Sequence, residues 1–425
     1  MTTYKKILNI ALPAMAENFL QMLMGMVDSY LVASLGLVAI SGVSVAGNII
    51  TIYQAIFIAL GAAVSSLISK SLGEGDRDNL AYHTSEAIKL TLILSVFLGL
   101  FSLVFGRQIL AWLGTEPVVA NAGGLYLALI GGTILLLGLM TTLGSLIRAT
   151  SNPRMPMYIS FFSNLLNVLF SSLAIFIFHM GIVGVALGTI LARLVGVLIL
   201  WKELSLPLAS WSWKLDWELL RLSLPAAGER LMMRAGDVVI IAIIVKFGTD
   251  AVAGNAIGEV LTQFNYMPGF GVATATVMLV AHAVGQVDFQ TVRKLTKQTY
   301  WLSLGLMLAV ALLIFALGQP LTHLYTKDSG AVTASLSVIL FSLLGVPMTA
   351  GTVIYTAVWQ GLGNAKLPFY ATTVGMWLIR IVAGYFLGVT LGLGLSGVWS
   401  ATLLDNGFRW FFLQIIYQRK MREIT

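Results

Sequence analysis

The sequence predicts an all-α polytopic membrane protein: twelve transmembrane helices in two six-helix lobes related by a pseudo-twofold axis. Three observations carry that expectation. Of the 425 residues, 58% are hydrophobic and 10% charged, with a mean hydropathy of +0.90. A soluble domain carries roughly 25% charged residues, so a chain this apolar needs lipid as its solvent. Apolar runs of about 20 residues or more, enough to cross a hydrocarbon core, recur from end to end. The second half then repeats polar and turn residues of the first at a fixed offset.

The predicted spans are residues 8–34, 37–69, 86–106, 121–147, 155–179, 182–201, 218–245, 251–281, 296–318, 332–359, 367–390 and 395–417. Their length and lack of strand-period alternation argue against a β-barrel. In lipid the backbone must satisfy itself, and helices do so within one segment. No cleavable leader is read at the amino terminus, where a short basic tail precedes a stretch long enough to span.

Charge placement sets the orientation. Of the 25 Lys and Arg residues, 17 fall on one side of these spans and 3 (Arg107, Lys246, Lys327) on the other. The remaining 5, Arg193, Arg230, Arg234, Arg380 and Arg409, lie inside spans. The positive-inside rule then predicts both termini in the cytoplasm. It also accounts for the net charge of +7 without a nucleic-acid partner.

The repeat appears at a shift of 212 residues, as from Pro13 to Pro225. Leu12-Pro13-Ala14 meets Leu224-Pro225-Ala226, Glu17 meets Glu229, Gly36 meets Gly248, and Gly73 and Asp76 meet Gly285 and Asp288. Asn152, Arg154 and Pro156 meet Asn364, Lys366 and Pro368; after one residue of slippage, Gly184 and Thr189 meet Gly397 and Thr402. An even number of spans per half gives both halves one orientation, the parallel-repeat arrangement whose transport sites lie near the bilayer midplane. The expected organisation is a first lobe 1–201, a cytoplasmic linker 202–217 and a second lobe 218–425.

Ionisable residues inside spans are the candidate functional groups, because they are costly in lipid. The acidic ones are Glu17, Asp28, Glu229, Asp237, Glu259 and Asp405. Asp28 is the sharpest: Met24, Met26, Val27, Leu31 and Val32 surround it, and no cation lies within one helical turn. A lone carboxylate there is costly to charge, which suits reversible protonation. Glu17 and Glu229 occupy equivalent repeat positions, so the expectation for the pair is a structural bond to a neighbouring helix. Arg230, Arg234 and Asp237 share one helical face. With Glu229, Glu259 and Asp405 they form a candidate charge network or substrate site.

The motifs resemble those of the multidrug and toxic compound extrusion (MATE) family. The first helix reads Ile10-Ala-Leu-Pro-Ala-Met-Ala-Glu-Asn18 and then Met26-Val27-Asp28. Gly73-Glu-Gly-Asp76 resembles the loop after the family's second helix. Ser151-Asn-Pro-Arg-Met-Pro156 and Gly361-Leu-Gly-Asn-Ala-Lys-Leu-Pro368 resemble its motif after helices four and ten, and Pro268-Gly-Phe-Gly-Val-Ala-Thr-Ala its helix-eight signature.

The resemblance implies proton- or sodium-driven export of amphipathic, often cationic compounds, with Asp28 binding the coupling ion. It also implies partners for Asp28 at Asn167, Ser171 and Thr189. Ser171 stands where the family often has a second aspartate, so any Na⁺ would rest on Asp28, Asn167 and neutral oxygens. The family's other branch couples through acids on helices seven and ten. Here Met233 holds the first of those places, and Phe341–Gln360 contains no acid.

The expected protein is thus a monomeric secondary antiporter in a prokaryotic inner membrane, with drug-like substrates and no cofactor besides H⁺ or Na⁺. The alternative is a flippase for a lipid-linked saccharide or other lipid. An enzyme is not expected: there are no cysteines, the four histidines are scattered, and no Walker loop follows Gly73-Glu-Gly.

Overall fold

The computed structural model describes residues 3–150, 152–210 and 214–424. Ser151 of the repeated motif, residues 211–213 of the linker, and the terminal residues 1–2 and 425 lie outside them. The described residues form helices and short connections only.

Twelve span-length helices follow in order: α1 (Thr3–Ala33), α2 (Leu37–Glu74), α3 (Arg77–Trp112), and α4 in two pieces, α4a (Pro117–Gly132) and α4b (Ile134–Thr150). Then come α5 (Met155–Phe176), α6 (Gly181–Glu203), α7 (Trp217–Val245), α8 (Thr249–Gly285) and α9 (Phe289–Ala316). The short helix Gly318–His323 precedes α10a (Ser329–Leu344) and α10b (Val346–Gly361), and the chain closes with α11 (Lys366–Thr390) and α12 (Gly394–Ile424). Eight of these pass a length and hydropathy test for spanning singly, and the two broken pairs pass it as units. Helices α7 and α12 are long enough but carry the buried charges described below.

The duplication is visible in the helix boundaries. At the 212-residue shift, α2, α3, α4a and α4b begin where α8, α9, α10a and α10b begin. The starts have local causes. Asp76 accepts from the amides of Asp78 and Asn79 at 3.0 Å, and Asp288 accepts from the amide of Thr291 at 3.0 Å. Each carboxylate satisfies orphan donors at the start of its helix.

The fourth span of each half is broken at one repeat position, Thr133 and Gly345, with bends of 43° and 57°. In α4 the Thr133 hydroxyl bonds back to the Leu129 carbonyl at 2.7 Å, and in α10b Pro347 occupies the first turn. Both are recognised causes of helix bending.

The second and fourth helices of each half meet backbone to backbone. A Cβ on Gly42 would lie 2.6 Å from the Gly123 nitrogen, and one on the equivalent Gly254 2.9 Å from the Ser335 nitrogen. In lipid such small-residue approaches supply the packing that the hydrophobic effect does not.

The one-residue slip has a structural counterpart. The interval Pro368 to Gly397 is one residue longer than Pro156 to Gly184. Within it α11 widens to π turns at Gly375–Arg380 and Phe386–Thr390, the geometry by which a helix absorbs an added residue.

By contacts the chain divides into two compact units, Ala16–Ser223 and Met1–Met15 with Leu224–Thr425. The first turns of α1 pack with the second half: Ile7 and Ala11 are fully buried among Val272, Ala275 and Ile354. The described part of the linker belongs with the first unit and is tied to α3. Asp216 accepts from His83 Nδ1 at 2.7 Å and from the amides of Glu218 and Leu219 at 2.9 and 3.2 Å, capping α7. Lys89 bonds Glu86 and also donates to the Lys214 carbonyl at 2.6 Å. Burial pushes the Asp216 carboxyl up, but the bonds from His83, Leu219 and Glu218 outweigh it and hold the group below the usual carboxylate range.

Candidate functional site

In the first unit α1 carries a carboxylate to a polar junction between α5 and α6. Asn167 Nδ2 donates to both oxygens of Asp28, at 3.2 and 3.3 Å. The amide oxygen of Asn167 accepts from Ser171 Oγ at 2.9 Å and from Thr189 Oγ1 at 3.3 Å. All four residues singled out in the sequence therefore meet. Asn167, Ser171 and Thr189 are buried, while Asp28 is half-buried.

The spacing follows from helix geometry. Asn167 and Ser171 are i and i+4 on one face of α5. Gly188 lets α6 approach, since a Cβ there would sit 2.7 Å from the Ser171 nitrogen and 2.9 Å from its Cα.

The polarity of the junction is directional. Ser171 donates to the Asn167 oxygen, and the Thr189 hydroxyl, which it shares with the Val185 carbonyl at 3.1 Å, also reaches it; this turns the amide nitrogen toward Asp28. In this arrangement Asn167 offers Asp28 a donor and no oxygen. An ionised carboxylate accepts that bond; a proton or a cation arriving at Asp28 competes with it.

No cation lies within one helical turn of Asp28 on α1, but one approaches from another helix. Arg193, four residues beyond Thr189 on α6, is within electrostatic reach of Asp28 and of Tyr126 on α4a. Sequence inspection placed Arg193 inside a span but had no means of pairing it across helices.

The second unit holds the denser charges. Asp237 pairs with Arg380 of α11, whose Nη1 lies 3.7 Å from Asp237 Oδ1, and Arg380 Nε donates to Thr402 Oγ1 at 3.1 Å. The sequence placed Asp237 on one helical face with Arg230 and Arg234, yet its ion pair is with an arginine of another helix. Arg380 stands at the end of the first π turn.

Asp405, fully buried, takes two bonds from Arg409 one turn later, at 2.8 and 3.0 Å. Arg409 Nη1 also lies 3.6 Å from the Met233 sulfur. Glu259 lies near Asn255 on α8 and within electrostatic reach of Asp237 and Arg380. Arg234 acts on Asp237 only through space, and Arg230 neighbours Glu229. Arg380 was absent from the candidate network because its partner Asp237 is remote in sequence; Arg409 was absent although the i,i+4 spacing from Asp405 on one helix is a signal the sequence carries.

Glu17 and Glu229 find partners in their own units: Arg148 of α4b bonds Glu17, and Thr372 Oγ1 donates to Glu229 at 3.1 Å. Among the described residues no group of three or more His, Cys, Asp or Glu side chains is placed to hold a metal ion. A cation at Asp28 would have to take its other ligands from Asn167, Ser171 and Thr189, and Asn167 would first have to turn its oxygen inward.

Known proteins share this architecture. The MatE family profile matches residues 13–173 and 225–386, one match in each half. A protein of Thermotoga maritima named probable multidrug resistance protein NorM is 27% identical over 95% of this chain and 90% of its own length. The uncharacterized transporter YisQ of Bacillus subtilis is 22% identical over 93% of this chain and 90% of its own. Among solved structures, one described as MATE in the straight conformation superposes with a TM-score of 0.92 at 19% identity, covering 99% of this chain and 96% of that one. A MOP superfamily transporter from Pyrococcus furiosus, described as having a binding pocket of reverse polarity, superposes at 0.89 with 19% identity and the same coverage. At these identities the structural matches speak for the fold.

Proposed function

Because the chain belongs to the multidrug and toxic compound extrusion (MatE) family, a family of multi-pass membrane transporters, we propose that it is a secondary active efflux antiporter. Its substrates are amphipathic, drug-like compounds, often cationic, exchanged for H⁺ or Na⁺ by alternating access. The observation that carries the reading is the Asp28 junction: a membrane carboxylate whose hydrogen-bond partner is a neutral amide held by two hydroxyls.

The chemistry follows from that partner. With Asp28 ionised, Asn167 donates to it and α1 is tied to α5. Protonation or cation binding removes the need for that donor, so ion occupancy changes how α1 packs. A ligand that favours one packing must then shift the affinity for the other ligand. The donor-only face of Asn167 favours the proton, which needs no oxygen cage. Arg193, within reach, would repel a second cation.

In the second unit the pairing of Asp237 with Arg380 and of Asp405 with Arg409 supports a structural role for the charges. The flippase reading is not favoured, because the relatives that match nearly the whole chain are named as multidrug resistance proteins. Charge placement supports an inner-membrane protein with cytoplasmic termini, and the lobes are read as 1–201 and 218–425 joined by 202–217.

Purified protein in proteoliposomes, given a proton gradient or a sodium gradient in turn, tests the proposal. Export should follow an imposed proton gradient without ATP and collapse with an uncoupler. Export that requires ATP and ignores both gradients would refute it.

A further inference from the structure

Each half builds the same kind of polar junction and fills it differently. In the first, Thr189 on the sixth helix donates to Asn167 on the fifth, and Asn167 donates to Asp28 on the first. The slip falls between Pro368 and Gly397; taken at the first π turn, which ends at Arg380, it sets Arg380 against Asn167, as it sets Thr402 against Thr189. Arg380 Nε donates to Thr402 Oγ1 at 3.1 Å, and its Nη1 faces Asp237 on the seventh helix at 3.7 Å. The carboxylates are one turn out of register: the repeat partner of Asp28 is Ile240, three residues after Asp237. The longer reach of arginine spans that difference.

We infer that Arg380 is a built-in cation filling the second half's counterpart of the ion site, which removes that half from ion exchange. The inference rests on Asp28 being the coupling site. Arg193 is within electrostatic reach of Asp28 but forms no close ion pair with it, and with only asparagine in hydrogen-bond contact the charge of Asp28 is left to an ion that comes and goes. Arginine carries a charge that neither dissociates nor loses its proton, so an exchangeable cation at Asp237 would meet a site already filled.

The other groups facing Asp237 do not supply this balance. Arg409 is committed to Asp405, Arg234 makes no close contact with Asp237, Glu259 on α8 is a like charge, and Tyr266 on α8 is neutral. The chain therefore works with one exchangeable site although its duplicated fold has room for two.

Arg380→Asn recreates in the second half the chemistry of Asn167. Ions moved per substrate are measured in proteoliposomes from paired fluxes of substrate and of H⁺ or Na⁺. The variant should move about twice as many ions per substrate as the native chain, while Arg380→Lys, which keeps a tethered charge, should retain the native ratio. Thermal unfolding in detergent gives a second readout: Arg380→Asn should be stabilised by added Na⁺ or by lower pH more than the native chain, because Asp237 then needs a cation or proton from solution.

A native ion ratio together with native ion dependence of unfolding would overturn the inference. So would an Arg380→Asn chain that folds at no pH or Na⁺ concentration while Arg380→Lys folds, since solution ions could then not replace the guanidinium. If Asp28→Asn abolishes coupling and Arg380→Asn gains nothing, this inference alone fails. If Asp28→Asn stays coupled, the underlying reading of Asp28 fails whatever Arg380→Asn does.

Discussion

The two halves descend from one repeat, yet they treat buried charge in opposite ways. The first places one carboxylate, Asp28, against a neutral amide. At the matching junction the second sets Asp237 against Arg380, and it pairs the buried Asp405 with Arg409. On the proposed reading, a charge whose partner is neutral is free to change its state, whereas a charge paired with arginine is fixed and serves packing. Common backbone geometry therefore does not imply common chemistry, and the difference lies in a few side chains at matching positions.

The comparison breaks most sharply if its chemistry is transplanted. Asn167→Arg should give Asp28 a permanent partner and reduce gradient-driven accumulation to the passive level, with the protein still folded by gel filtration. Coupled transport by that variant would show that the neutral partner is unimportant.

Removing a partner in the second half should instead cost stability. Arg409→Leu leaves the fully buried Asp405 unpaired, and about 3–5 kcal/mol of folding stability should be lost. The double variant Asp405→Asn with Arg409→Leu should recover much of it. Equal stability of single and double variants in denaturant titrations would show that the pair is not structural.

A smaller effect concerns the backbone of the repeat. Gly75 adopts φ 71° after α2; its repeat partner Val287 is forced to φ 57°. A β-branched residue in that region is strained, so Val287→Gly should stabilise the chain by about 1 kcal/mol. Gly75→Val should destabilise it by a similar amount. Denaturant midpoints decide both.

The smallest effect expected is confined to acid. The Asp216 carboxyl lies below its usual range when folded, so its contribution is fully present above its unfolded value near 4 and is lost as pH falls through the lower folded value. Asp216→Asn should narrow the stability difference between neutral pH and about pH 3. An unchanged difference would mean that the cap is not held by charge.

Much of the fold was legible in the sequence because duplication leaves marks that apolar composition cannot. Pro13 with Pro225 and Asp76 with Asp288 align at a single shift, and the latter two begin α3 and α9. Span length was legible as hydropathy, but the full helices run past it: residues 86–106 were expected where α3 covers Arg77–Trp112. The break at Thr133 was not legible, since a hydroxyl bonding its own helix leaves no hydropathy signal; the one at Gly345 carried a mark in Pro347 that the span reading passed over.

At the site, Asp28 stood out by isolation, and Asn167, Ser171 and Thr189 came through family resemblance. The roles of Arg193 and Arg380 stayed hidden, while that of Arg409 was open to reading from its i,i+4 spacing to Asp405. Arg380 meets a carboxylate from a helix more than a hundred residues away, and the one-residue slip that marks the π turns does not say where in the helix they fall.

The central claim is that Asp28 exchanges an ion for substrate. Gradient-driven uptake in proteoliposomes by Asp28→Asn, normalised to folded protein, tests it most directly. The variant keeps the shape of the protonated side chain and should fold and bind substrate but accumulate none against a gradient, while Asp28→Glu should keep part of the activity. Near-native coupled accumulation by Asp28→Asn would contradict the account.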